Sequence, residues 1–139
     1  GESYDASRVM DMLNLVHLDG GERILQSYPF QLSGGMQQRL AIALSLILKP
    51  TIVFADEPTS ALDILVQASV LDLLREVTQA LGATVIIVTH NIKAAARIAN
   101  SIGVMNKGHL VEVGPTEEVI HYPKDDYTRV LLDSVMKVV

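Results

Sequence analysis

Asp56 and Glu57 stand side by side at the end of the apolar run Thr51-Ile52-Val53-Phe54-Ala55. Such a run suits a buried parallel strand, which delivers its last residues to the carboxyl edge of a sheet, where open α/β folds hold their ligands. Two adjacent carboxylates at a strand tip mean acid chemistry there. Upstream, Ser33-Gly34-Gly35 opens a strongly helical stretch. Two flexible glycines at a helix N-terminus present backbone N–H groups and the positive end of the helix dipole, and such an end attracts phosphate. Downstream, His90 and Asn91 follow a second apolar run. Each piece has an ordinary explanation by itself: Ser33 as an N-cap, the glycines as a tight turn, Asp56 and Glu57 as solvated loop acids, His90 as a structural histidine at a strand end. Their order along one chain carries the chemical reading.

The elements that must position these groups follow from periodicity. Apolar residues at 9, 12, 13 and 16 predict a helix over 4–18, with Ser3 or Asp5 as cap and Gly20-Gly21 as the break. Residues 22–31 read as a short helical turn and an extended approach, since Pro29 biases Tyr28 away from helix. A helix over 35–49 has a polar start, in which Gln37, Gln38 and Arg39 read as a solvated face. Its end reads as buried on nearly all sides, and Pro50 stops it. A strand over 51–55 follows. Asp63 is a plausible N-cap for a helix over 64–81, with Gly82 as its stop. A second buried strand covers 83–89 and a short helix 92–99. Two strands flank the hairpin signal Asn106-Lys107-Gly108. Thr116 then caps a helical turn, Pro123 breaks it, and a final amphipathic helix starts at Asp125 or Asp126. The alternation of strand and helix argues for an α/β fold with a parallel sheet.

Composition limits the possibilities. The 139 residues are 49% hydrophobic, enough for one core. No apolar stretch reaches the roughly 18 residues needed to span a bilayer, and no signal-peptide plan is visible, so a soluble chain is expected. A net charge of −5 with scattered Lys and Arg argues against nucleic acid as a ligand. The absence of cysteine excludes disulfides, thiolate catalysis and cysteine-based metal sites, and fits a reducing compartment.

Taken in order, Leu32 to Arg39, Thr51 to Asp63 and Val88-Thr89-His90-Asn91 resemble the signature loop, Walker B strand, D-loop and switch-histidine segment of ATP-binding cassette (ABC) proteins. The resemblance covers essentially the whole chain. It implies a partial P-loop NTPase (RecA-like) core with a parallel sheet, part of the helical signature subdomain, and a C-terminal hairpin and helix. The implied partition is 1–49 for the end of the helical subdomain, 50–114 for the second half of the catalytic core and 115–139 for a C-terminal extension. Phosphoryl transfer needs a phosphate cradle, a magnesium anchor, a water-activating base and a γ-phosphate sensor. By resemblance, Asp56 holds Mg2+, Glu57 polarises the attacking water and His90 contacts the γ-phosphate. The same resemblance implies that Ser33, Gly34 and Gly35 bind the γ-phosphate of an ATP held mainly by a second subunit. Asp63 reads as an N-cap, and the resemblance also implies a D-loop residue at the dimer interface; both readings stay open. Met36 and Asn91 replace the Gln and Asp common in the family.

The cradle is the part not found, for no Gly-x-x-x-x-Gly-Lys-[Ser/Thr] occurs in these residues. The chain therefore resembles a C-terminal half, expected to be inactive in ATP hydrolysis by itself and to leave strand 83–89 with an unpaired apolar edge. Tyr28-Pro29-Phe30-Gln31 and the tail, with Val111 to Val119, His121-Tyr122-Pro123 and Tyr127 to Leu132, resemble peptide and nickel importer subunits. That implies peripheral location on the cytoplasmic face of the membrane, a second ABC ATPase subunit and transmembrane permease subunits as partners, and an extracytoplasmic substrate-binding protein as an indirect one. Two alternatives stay open: a non-catalytic module that donates its signature loop to a complete partner, and a soluble ABC ATPase outside transport.

Overall fold

The computed structural model describes residues 6–60 and 62–136. The proposed start of the first helix at Tyr4 and its caps Ser3 and Asp5 lie outside them. The chain divides into two compact units, Gly1–Val88 and Thr89–Val139.

In the first unit, α1 spans Ala6–Leu15. It ends earlier than the glycines suggest, because His17 adopts a left-handed φ of 55° and Leu18 N–H closes back on Leu13 O at 2.9 Å. This local reversal terminates a helix as glycine does. Helix α2, Gly21–Leu25, starts instead from left-handed Gly20. A 3₁₀ turn at Pro29–Gln31 replaces the expected extended approach. Helix α3 spans Gly34–Leu46, and left-handed Lys49 closes it ahead of Pro50. Strand β1 is Ile52–Asp56, α4 is Ile64–Ala80 and β2 is Thr84–Val88. Gly82, at φ 67°, ends α4 as its position predicts.

The core of this unit lies where α1, α3 and α4 meet one face of the sheet, with Leu13, Val16, Leu46, Val70 and Val77 essentially closed to solvent. Each such aliphatic side chain contributes about 1.5–3 kcal/mol of burial. Helix α4 supplies the longest stripe, Val70, Leu71, Leu73, Leu74, Val77 and Thr78. Helix α3 does not bury its end all round: Ile42, Ala43 and Leu46 face inward, whereas Leu44 and Leu48 are exposed.

Strands β1 and β2 pair in parallel, from Ile52 opposite Thr84 to Asp56 opposite Val88. They are half-buried rather than buried. Alternation along the pleat sends Val53, Ala55, Val85 and Ile87 to the core and leaves Ile52, Phe54, Ile86 and Val88 exposed. Among the described residues the sheet has these two strands alone, so the outer edge of β2 carries no partner strand, as expected from the sequence.

In the second unit, α5 spans Ile92–Ile98, β3 is Ser101–Asn106 and β4 is His109–Pro115. Lys107 and Gly108, both left-handed at φ 49° and 83°, make the tight turn between them. Helix α6 covers Thr116–His121 and α7 Asp126–Met136. Thr116 is not the cap of α6, because its hydroxyl donates to Ala99 O at 2.6 Å. Val104, Val119, Thr128 and Leu132 form the buried interior. Glu112 clamps the approach to α7: its carboxylate accepts from Lys124 N–H at 2.9 Å and Asp125 N–H at 3.1 Å. Those donors, Lys124 first, hold its carboxyl below the ordinary carboxylate range. Among the described residues no helix is long and apolar enough to cross a membrane.

Candidate functional site

Ser33 is the N-cap of α3, its hydroxyl accepting from Met36 N–H at 3.3 Å. Helix geometry leaves the first N–H groups of α3, those of Gly34 and Gly35 among them, without partners inside the helix. Both glycines also have packing reasons to lack a side chain. A Cβ on Gly35 would stand 3.1 Å from Val66 Cγ1, and one on Gly34 would stand 3.4 Å from Leu62 Cδ2. The loop at the start of α3 is therefore pressed against the start of α4.

That second start is held by Asp63, whose Oδ1 accepts from Val66 N–H at 3.0 Å. Between β1 and Asp63 the chain is tied to itself. The Ser60 N–H and hydroxyl both donate to Glu57 O at 3.2 Å, and Gln67 Nε2 donates to Thr59 O and Leu62 O at 3.0 Å each. Thr59 is buried beneath this arch.

Asp56 is the last residue of β1 and is exposed, opposite Val88 of β2. Glu57 continues the pairing through one bond, its N–H to Val88 O at 2.8 Å, and then turns sharply with φ at 45°. A glutamate held left-handed costs about 1–2 kcal/mol, a strain typical of positions whose side chain must point in one direction. The two carboxylates thus leave the same sheet edge by different backbone paths.

Within the first unit the structure brings Gly34 and Gly35 against Leu62 and Val66, on either side of Asp63, and it keeps Asp56 and Glu57 adjacent at the strand tip. His90 belongs to the second unit and is exposed there, just before α5. Asn91 caps that helix, accepting from Ala94 N–H at 3.1 Å, while its own N–H donates to Thr89 Oγ1 at 3.0 Å. An asparagine serves as well as an aspartate in this role.

Gln37 is exposed and Arg39 half-buried, and both also hold neighbouring segments. Gln37 Nε2 donates to Pro29 O at 2.7 Å and Leu32 O at 3.1 Å, fastening the turn before the glycines to the first turn of α3. Arg39 spans two neighbours, donating to Val16 O at 3.2 Å and Ser69 Oγ at 2.9 Å. The available signal was weak: an arginine at the edge of an apolar helix, and a glutamine following a loop rich in carbonyls that no helix would satisfy.

Comparison with known proteins finds related chains. Residues 2–60 match the ABC transporter family. The dipeptide transport ATP-binding protein DppD of Caldanaerobacter subterraneus is 46% identical over 94% of this chain and 40% of its own length. The oligopeptide transport ATP-binding protein OppD of Lactococcus lactis is 41% identical over 96% of this chain and 39% of its own length. The glutathione import ATP-binding protein GsiA of Escherichia coli is 43% identical over 89% of this chain and 20% of its own length. The chain thus spans about two fifths, or less, of the length of these relatives. Its fold is a partial P-loop NTPase of the ABC kind, and the chain belongs to the ABC transporter family. Within that family it is similar to proteins named as dipeptide and oligopeptide transport ATP-binding proteins.

Proposed function

We propose that these residues are part of the ATP-hydrolysing subunit of an importer for dipeptides, oligopeptides or nickel, working at the cytoplasmic face of the membrane. In this reading it pairs head to tail with a second ABC ATPase subunit, docks on transmembrane permease subunits, and meets an extracytoplasmic substrate-binding protein only through them. Nucleic acid is not a partner. The observation that supports it most is the close approach of Gly34 to Leu62 and of Gly35 to Val66, which sets a phosphate-attracting helix start beside the turn capped by Asp63.

There the N–H groups of Gly34 and Gly35, with the Ser33 hydroxyl, face the γ-phosphate of a nucleotide held by the other subunit. Asp63 keeps the start of α4 in register with them. Asp56 is the magnesium ligand. Magnesium is held by one or two carboxylates together with phosphates and waters, and an exposed carboxylate at a strand tip fits that donor set. When bound, the ion supplies charge neutralisation of the phosphates. Glu57 takes a proton from the water as its oxygen bonds to the γ-phosphorus and the bridging P–O bond breaks, leaving ADP and phosphate. His90 donates a hydrogen bond to the γ-phosphate.

Glu57→Gln in the full-length protein tests the assignment. Turnover is expected to fall by about a hundredfold to ten-thousandfold, with ATP-dependent dimerisation intact. Unchanged steady-state hydrolysis would remove Glu57 from its role.

A further inference from the structure

We propose that Gln37 and Gln67 are positioning residues for ATP hydrolysis, Gln37 setting the turn that leads into Ser33-Gly34-Gly35 and Gln67 the arch between Glu57 and Asp63. This rests on those two loops serving the nucleotide as proposed above.

The two glutamines make the same contact at two helix starts. Each is the fourth residue of its helix, and each turns its side chain back over the loop in front. Gln37 Nε2 donates to carbonyls five and eight residues back, Leu32 O at 3.1 Å and Pro29 O at 2.7 Å. Gln67 Nε2 donates at the same two offsets, to Leu62 O and Thr59 O at 3.0 Å each. Both acceptors are carbonyls in each case, so the amide spends its two N–H groups on the loop. The backbone repeats the match, for Leu32 N–H closes on Pro29 O and Leu62 N–H on Thr59 O, both at 3.1 Å.

This repeated device falls on the two loops that carry the proposed chemistry. Pinning Leu32 O fixes the residue before the Ser33 cap, and hence the direction in which the first N–H groups of α3 point. Pinning Thr59 O fixes the middle of an arch whose near end is Glu57, itself tied to Val88 O on one side and to Ser60 on the other. The two loops also touch, since a Cβ on Gly34 would stand 3.4 Å from the Leu62 side chain. Gln37 is exposed and Gln67 half-buried, where water replaces a lost hydrogen bond readily. What each supplies is therefore chiefly position. At the start of α7, Arg129 makes a comparable contact as the fourth helical residue, donating to Lys124 O at 2.9 Å and Pro123 O at 3.1 Å. None of the proposed site residues lies in that loop, which makes Arg129 the control.

The test uses the full-length protein and reads steady-state ATP turnover beside thermal unfolding. Gln37→Ala and Gln67→Ala are each expected to lower kcat about 10- to 100-fold, with KM for ATP changed less than about threefold. Arg129→Ala is expected to lower the unfolding midpoint at least as much and to leave kcat unchanged. Gln37→Glu keeps the size but loses both donors, and is expected to fail as alanine does. Gln37→Arg brings back a donor of the kind that α7 uses, and is expected to restore kcat to within about threefold of wild type. Wild-type kcat in the alanine variants or in Gln37→Glu would overturn the proposal. So would a loss of kcat in Arg129→Ala equal to theirs, which would make all three residues mere helix fasteners. Ser33→Arg and Glu57→Gln separate the premise from the inference. If both leave turnover intact, the reading of the site fails; if both abolish it while the glutamine variants turn over as wild type, only the positioning role fails.

Discussion

Glu57 is held at φ 45°, where a side chain other than glycine is strained. Glu57→Gly is therefore expected to stabilise the fold by about 1 kcal/mol while removing the carboxylate that the proposed chemistry needs. Thermal unfolding checks it, and a lowered midpoint would mean that the glutamate side chain contributes more than its backbone costs. Asp63 presents the complementary case, a residue whose structural and functional readings coexist. Asp63→Ala is expected to cost about 1 kcal/mol through loss of the bond to Val66 N–H, whereas Asp63→Asn keeps the cap and the stability. Denaturant unfolding separates the two, and any loss of dimerisation that persists in the asparagine variant belongs to the interface and not to the helix. At this scale the sequence was legible: Ser33 and Asp63 cap helices as their types suggest, and Asp56 and Glu57 sit at a strand tip. The left-handed turn at Glu57 was not, because glutamate carries no local signal for positive φ. It is imposed by the pairing with Val88 and the turn through Ser60.

Helix α3 starts close against α4. Gly35→Ala places a methyl 3.1 Å from Val66 Cγ1 and is expected to destabilise the chain, and Val66→Ala in the same molecule should relieve part of that loss. A double-mutant cycle with a coupling of about 0.5 kcal/mol or more would establish the contact, and strict additivity would refute it. In the second unit, Glu112 is the staple between β4 and the approach to α7. Its carboxyl lies below its ordinary value, so its contribution is present in full above the unfolded value of about 4.3 and is lost as pH falls through the lower folded value. Glu112→Gln should lower stability near neutrality and flatten the acid limb of a stability–pH profile. An unaltered profile would show that the clamp contributes nothing. Element types and order were readable from periodicity, but their ends were not. Gly20 and Pro50 mark the chain breaks, yet α1 and α3 end earlier, at left-handed His17 and Lys49, because a reversal that satisfies the last carbonyls needs neither glycine nor proline.

For the molecule as a whole, the sheet of β1 and β2 leaves Ile52, Phe54, Ile86 and Val88 exposed beside a free strand edge. A contiguous apolar face and an open edge favour association. The 139-residue chain by itself is expected to self-associate as its concentration rises, and Phe54→Lys with Ile86→Lys to suppress it. Light scattering that shows a strict monomer at all concentrations would count against this. Here the sequence misled, since apolar runs of this length read as strands buried on both faces; hydropathy reports what a strand could bury and not what is present to cover it. What the sequence by itself determined were the chemical groups and their order: Ser33-Gly34-Gly35, the Asp56-Glu57 pair, Asp63 and His90 are local patterns, and local patterns survive without knowledge of the fold. What only the tertiary structure decided were the long-range contacts. The approach of Gly35 to Val66 and the reach of Arg39 to Val16 and Ser69 depend on where packing brings distant backbone together, which no spacing along the chain encodes.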